Sequence, residues 1–121
     1  MEKAGRDLRL AELAAGEGFG EEAAFHAQQA AEKSLKALIT AHGDRPPKTH
    51  DIDVLLARLE RLGVEVGEEW REEASVLTAY GVEARYPGPP INMEEAERAI
   101  DTARAVLEWV KEKLRELGVE C

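Results

Sequence analysis

Apolar and polar residues alternate with a helical period along this chain, and no stretch shows the two-residue period of a strand. The signal is clearest toward the C-terminus. There Met93, Ala96, Ile100, Ala103, Leu107, Val110, Leu114 and Leu117 stand alternately three and four residues apart, the apolar stripe of a helix lying along its neighbours in a bundle. Asn92 suits the N-cap of that helix, and Glu94 and Glu95 suit a first turn where the backbone dipole favours negative charge. Upstream, a first helix is expected from Glu2 to Ala15, with Ala4, Leu8, Ala11 and Ala15 on one stripe, closing at Gly16, Gly18 and Gly20. A second runs from Glu21 to His42 and stops at Gly43, placed as a C′ glycine. A third starts near Asp51, capped by Thr49 or Asp51, and presents Ile52, Leu55, Leu56, Leu59 and Leu62. Gly63 and Gly67 bracket a break before a fourth, from about Glu68 to Ala84. Prolines exclude helix from the loops GDRPPKTH and RYPGPP. The predicted fold class is all-α: an up-and-down bundle of four main helices plus one short helix, with residues 1–121 forming one domain.

The second helix carries an unusual seam. Ala23, Ala27, Ala30, Ser34, Ala37 and Ala41 fall on one narrow stripe, with Ala31, Leu35 and Leu38 beside it. Side chains this small let two helix axes approach closely. His26, Gln29, Lys33 and Lys36 are expected to point away from the seam, and Glu22–His26 and Glu32–Lys36 have the favourable four-residue spacing. Gln28 falls at the edge of the apolar face, on the side of Leu35 and Ile39. An amide there needs partners, supplied either by a neighbouring helix or by a polar pocket it lines.

Composition narrows the function. Ala, Glu, Leu and Arg dominate, which favours helix. The net charge of −9 opposes non-specific binding to DNA, which draws on Lys and Arg contacts to phosphate. Cys121 is the one cysteine, so no intrachain disulfide forms. The charged start MEKAGRDLRL lacks the apolar segment of a secretory leader, and no apolar run is long enough to span a bilayer, so a cytoplasmic protein with no membrane association is expected. One Asn and two Gln, with ten Arg against six Lys, suit a thermophilic source.

Three blocks together carry a resemblance: HAQQAAEKSLKALI, then THDIDVLL after a short loop, then ARYPG before the long last helix. In this order, and over about residues 21–118, they resemble the HEPN-domain family (higher eukaryotes and prokaryotes nucleotide-binding). The resemblance implies a small helical bundle that forms a homodimer or higher homo-oligomer. It also implies a gene beside a minimal nucleotidyltransferase, in toxin–antitoxin fashion; some members are ribonucleases, and others bind nucleotides or act as partner subunits. The family-matching polar positions are Gln28, Glu32, Lys33, His50, Asp51, Arg85 and Tyr86. These are the candidate ligand-binding residues. If the loops after the second and fourth helices share a flank, Arg85 and Lys33 would hold a phosphate while Tyr86 stacks on a base. The alternative is that Arg85 pairs with Glu32 or Asp51 and Tyr86-Pro87 packs to close the bundle.

The ribonuclease branch of the family carries an Arg followed, four to six residues on, by a His, for proton transfer and phosphate stabilisation. The formal match here is Arg45 with His50, in the Pro-Pro loop, with Pro46 where the family has a polar residue; no His follows Arg85. Arg45 and His50 are therefore weak catalytic candidates, and no catalytic apparatus is expected. His26, His42 and His50 lack metal-ligand spacing, and no glycine-rich phosphate loop is present, so no metal or cofactor is expected. The expected function is a non-catalytic nucleotide-binding or partner module working with a separately encoded nucleotidyltransferase. A toxin-like HEPN ribonuclease and a purely structural interaction bundle are the alternatives.

Overall fold

The computed structural model describes residues 1–81 and 91–119. Among them are five α-helices and a 3₁₀ turn, with no strand: α1 (Glu2–Gly16), α2 (Gly20–Ala41), α3 (Ile52–Arg61), α4 (Arg71–Leu77) leading into the 3₁₀ turn Thr78–Tyr80, and α5 (Met93–Glu116). α1 and α2 form a tight hairpin, turned by Gly18 at a φ of 82°. α2 is the central helix, packed along its length against both α1 and α5.

The small-residue seam explains that packing. Ala23, Ala27, Ala30 and Ser34 are fully buried, as are Ala24 and Ala31 beside them. The two helices packed on α2 bury alanines as well: Ala4 and Ala11 in α1, and Ala96, Ala99 and Ala103 in α5. The seam fades toward its C-terminal end, where Ala37 is half-buried and Ala41 exposed. Larger side chains take over there, with Leu35, Leu38 and Ile39 meeting Ile52, Leu55, Leu56 and Leu59 of α3. Each such leucine or isoleucine contributes about 1.5–3 kcal/mol when removed from water.

Caps fall where local chemistry placed them. The Asn92 carboxamide oxygen accepts from the Glu95 N–H at 2.8 Å, and the Asp51 carboxylate accepts from the Asp53 N–H at 2.9 Å. Asp51 is the residue that caps α3, while the Thr49 hydroxyl accepts from the Asp51 N–H. A second support comes from outside the helix: the Thr78 hydroxyl accepts from the Ile52 N–H at 3.1 Å. This tie joins α3 to the 3₁₀ turn, and it falls where α4 tightens and stops. The fourth helix accordingly spans Arg71–Leu77 rather than Glu68–Ala84, because residues 68–70 form a turn with Trp70 as N-cap. Ala84 lies outside the described residues. Trp70 is held edge-to-face against Trp109 of α5, ring centroids 5.2 Å apart. No helix among the described residues is long and apolar enough to cross a membrane.

Candidate polar site on the central helix

Helical geometry puts Gln28, Glu32 and Lys36 on one line of α2, four residues apart, and the loop between α2 and α3 brings His50 over them. The centre is the Glu32 carboxylate, whose side chain is 6% exposed. Oε1 accepts from Gln28 Nε2 at 3.0 Å and from His50 Nδ1 at 2.9 Å; Oε2 accepts from Lys36 Nζ at 2.9 Å. A carboxylate with two such neighbours acts as acceptor, so Nδ1 is the protonated ring nitrogen of His50. Gln28 is fully buried. Its Nε2 also donates to the His50 carbonyl at 3.1 Å, and its Oε1 accepts from Gln29 Nε2 at 2.7 Å. The polar edge residue is therefore bonded inside the fold. Burial pushes the Glu32 carboxyl up, yet hydrogen bonds from Gln28, Lys36 and His50 outweigh it and hold the group below the ordinary range.

Gly81 closes this cluster from above. A Cβ built on it would lie 3.0 Å from Gln28 Cδ and 3.1 Å from Nε2, so its backbone lies against the carboxamide. That contact disfavours any larger residue and fixes where the chain leaves the 3₁₀ turn.

A second buried carboxylate stands nearby. Asp7 of α1 accepts from His26 Nδ1 at 3.0 Å through Oδ1 and from Lys33 Nζ at 2.6 Å through Oδ2, its own side chain 8% exposed. Each buried acid thus fixes one imidazole and one ammonium at the surface of α2. His26, Gln29, Lys33 and Lys36 form a ridge along that surface, and His50, whose side chain is 70% exposed, flanks it. Every lysine keeps N–H groups, and every imidazole its second nitrogen, beyond those the acids occupy.

The candidate residues separate in this arrangement. Gln28, Glu32 and His50 are brought together. Lys33 belongs to the Asp7 pair, and Asp51 serves as a helix cap. Arg45 contributes its backbone, its N–H donating to Asp44 Oδ1 and its carbonyl accepting from Arg58, and no side-chain bond among the described residues joins it to His50. Arg85 and Tyr86 lie outside the described residues. Of the residues expected to point away from the seam, His26 and Lys33 are anchored to Asp7, and Lys36 to Glu32. Asp7 was missed. Its signal was present, since it stands three residues after Ala4 and four before Ala11, an acid on the buried stripe directly before Leu8. Among the described residues no group of three His, Cys, Asp or Glu is gathered as a metal site, and no buried side-chain nitrogen or oxygen lacks a partner.

Comparison with known proteins places the chain and its fold. The HEPN domain model matches residues 1–113. No curated protein matches the chain. Among solved structures, TT1696 from Thermus thermophilus is similar at 40% identity and a TM-score of 0.84, the match covering 93% of this chain and 94% of that one. ST0689, an archaeal HEPN homologue, is similar at 28% identity and a TM-score of 0.78, covering 93% of each chain.

Proposed function

The chain belongs to the HEPN-domain family, and on that footing we propose that it is a non-catalytic module that binds a nucleotide and works beside a separately encoded nucleotidyltransferase. One observation carries the reading. Two buried carboxylates, Asp7 and Glu32, hold Lys33, Lys36, His26 and His50 in fixed directions along one face of α2. Donors already ordered lose little freedom when a phosphate arrives, which lowers the cost of binding. The acids also cancel much of the ridge's charge, which suits a small, reversible ligand better than a long polyanion.

A second reading draws support from the Glu32–His50 dyad. A buried carboxylate fixing Nδ1 and leaving the other face of the ring in solvent is how a general base is oriented. Such a base would serve a ribonuclease.

Thermal unfolding with single nucleotides and short RNAs, followed by gel analysis of the RNA, separates the two. A ligand bound only by the folded state raises stability by about 2.7 kcal/mol at a hundred times its dissociation constant. A nucleotide-dependent rise that Lys33→Ala and Lys36→Ala each reduce, with RNA intact, supports the binding module. RNA cleavage abolished by His50→Ala establishes the ribonuclease instead.

A further inference from the structure

One line of side chains along α1 is left uncovered by the bundle. Arg6, Leu10, Leu13 and Glu17 stand four, three and four residues apart, the spacing of a single stripe on a helix. All four are exposed, Leu10 at 40% and Leu13 at 60%. Glu17 follows the last helical residue with right-handed helical backbone angles, so it continues the line. The buried face of α1 carries Ala4, Asp7 and Ala11 instead. Among the described residues neither Arg6 nor Glu17 has an ion-pair partner, whereas Glu12, on another side of α1, is held by Arg104 of α5 at 2.6 Å.

The stripe is symmetric about its own centre. Arg6 lies four residues before Leu10, and Glu17 lies four residues after Leu13. Turning the helix end over end about the midpoint between the leucines puts Leu10 on Leu13 and Arg6 on Glu17. An antiparallel pair of identical helices centred there sets leucine against leucine, with a guanidinium opposite a carboxylate at each end. Self-complementarity of this kind is what an isologous contact between two copies requires; a partner of unrelated sequence does not require it. Charge favours the same face. The chain carries a net charge of −9, so two copies repel in most orientations. On α1, exposed Lys3, Arg6 and Arg9 balance exposed Glu2, Glu12 and Glu17, which gives a neutral surface on an acidic protein.

We propose that a second copy of this chain docks on this stripe, α1 against α1 in antiparallel register, with Leu10 of each copy on Leu13 of the other and Arg6 on Glu17. Two leucines a side bury little area, so the dimer exchanges with monomer rather than being obligate. Family membership names neither this face nor this register, and the pairing stands apart from nucleotide binding.

Sedimentation velocity over a concentration series, on the whole chain, tests it. The wild type should dimerise reversibly, and Leu13→Glu should weaken the dimer roughly tenfold or more by placing a charge in the apolar centre. Arg6→Glu and Glu17→Arg each set like charges opposite one another at both ends and should each weaken it by about tenfold. The double variant Arg6→Glu with Glu17→Arg exchanges the charges but keeps them opposed, so it should restore wild-type association. Added salt should weaken the wild-type dimer and relieve the single reversals. The substituted positions are exposed, so the variants keep their fold, checked by circular dichroism. A wild-type chain that stays monomeric throughout overturns the proposal and leaves the stripe to a partner of another sequence. A dimer that Leu13→Glu leaves intact overturns it by placing the contact on another face. Single reversals that weaken the dimer without rescue by the double variant overturn the antiparallel register.

Discussion

Glu32→Ala removes the acceptor on which Gln28, Lys36 and His50 converge. Lys36 and His50 reach solvent, so their lost pairings cost only about 0.5 kcal/mol each once water replaces the carboxylate. Gln28 does not reach solvent. Its Nε2 keeps the His50 carbonyl but loses the carboxylate, a cost of about 1 kcal/mol for a buried donor left half-satisfied. The missing methylene adds ~1 kcal/mol of transfer free energy, and relief of the carboxylate's own desolvation returns part of the total. The net expectation is a loss of roughly 2–3 kcal/mol, well short of the ~3–5 kcal/mol for breaking a fully buried pair. With urea slopes of about 1–3 kcal/mol per molar, the midpoint of urea unfolding at pH 7 should fall by roughly 1–2 M. The effect should also depend on pH. The folded Glu32 carboxyl is held below the ordinary glutamate value of 4.5, so the unfolded chain binds the proton more readily. Its stabilisation is therefore present above 4.5 and is lost as the pH falls through the lower, folded value. The gap between wild type and Glu32→Ala should narrow through that acid window. A midpoint shift below about 0.3 M at pH 7, or a gap unchanged in acid, would refute the assignment of Glu32 as the ionised centre of the cluster.

Asp7→Asn should cost about 1–2 kcal/mol by weakening the bonds to His26 and Lys33, and urea unfolding should locate the loss in the α1–α2 hairpin when read by hydrogen exchange. Gly20→Ala should destabilise by about 1–3 kcal/mol, because its Cβ would stand 2.6 Å from the Ile91 carbonyl oxygen, a backbone atom that cannot simply swing aside; differential scanning calorimetry measures this. Gly81→Ala meets only the end of the Gln28 side chain, so a smaller loss of ~1 kcal/mol is expected, with amide shifts at His50 reporting the displaced carboxamide. Ala30→Leu at the centre of the seam should cost about 1–3 kcal/mol or more by forcing α2 from its neighbours, and thermal unfolding checks it.

The bundle was legible because helix periodicity and caps are local signals. The stripe from Met93 to Leu117 matches the buried face of α5 except at its ends, where Met93 is half-buried and Leu117 exposed as the helix outruns its neighbours. Asn92, Asp51 and Gly43 act where their chemistry placed them, since a cap depends on residues within one turn. The end of α4 was not legible in this way. What accompanies it is the Thr78 hydroxyl reaching the Ile52 N–H, 26 positions away, and no local pattern encodes such a tie.

The polar site divides along the same line. Glu32 and Lys36 are four apart on one helix, so their pairing was readable, but burial reversed its meaning. A surface pair contributes little, whereas Glu32 lies under His50 and beside Gln28, where it organises three donors. Asp7 shows what a single helix cannot report. On α1 alone its place on the buried stripe between Ala4 and Ala11 marks it as unusual, but nothing there names its partners. Its partners sit 19 and 26 residues away on α2, and only the hairpin turned by Gly18 brings the three together. Both buried acids hold a lysine and an imidazole, and in the proposed reading it is the ridge they order, rather than the acids, that meets the ligand.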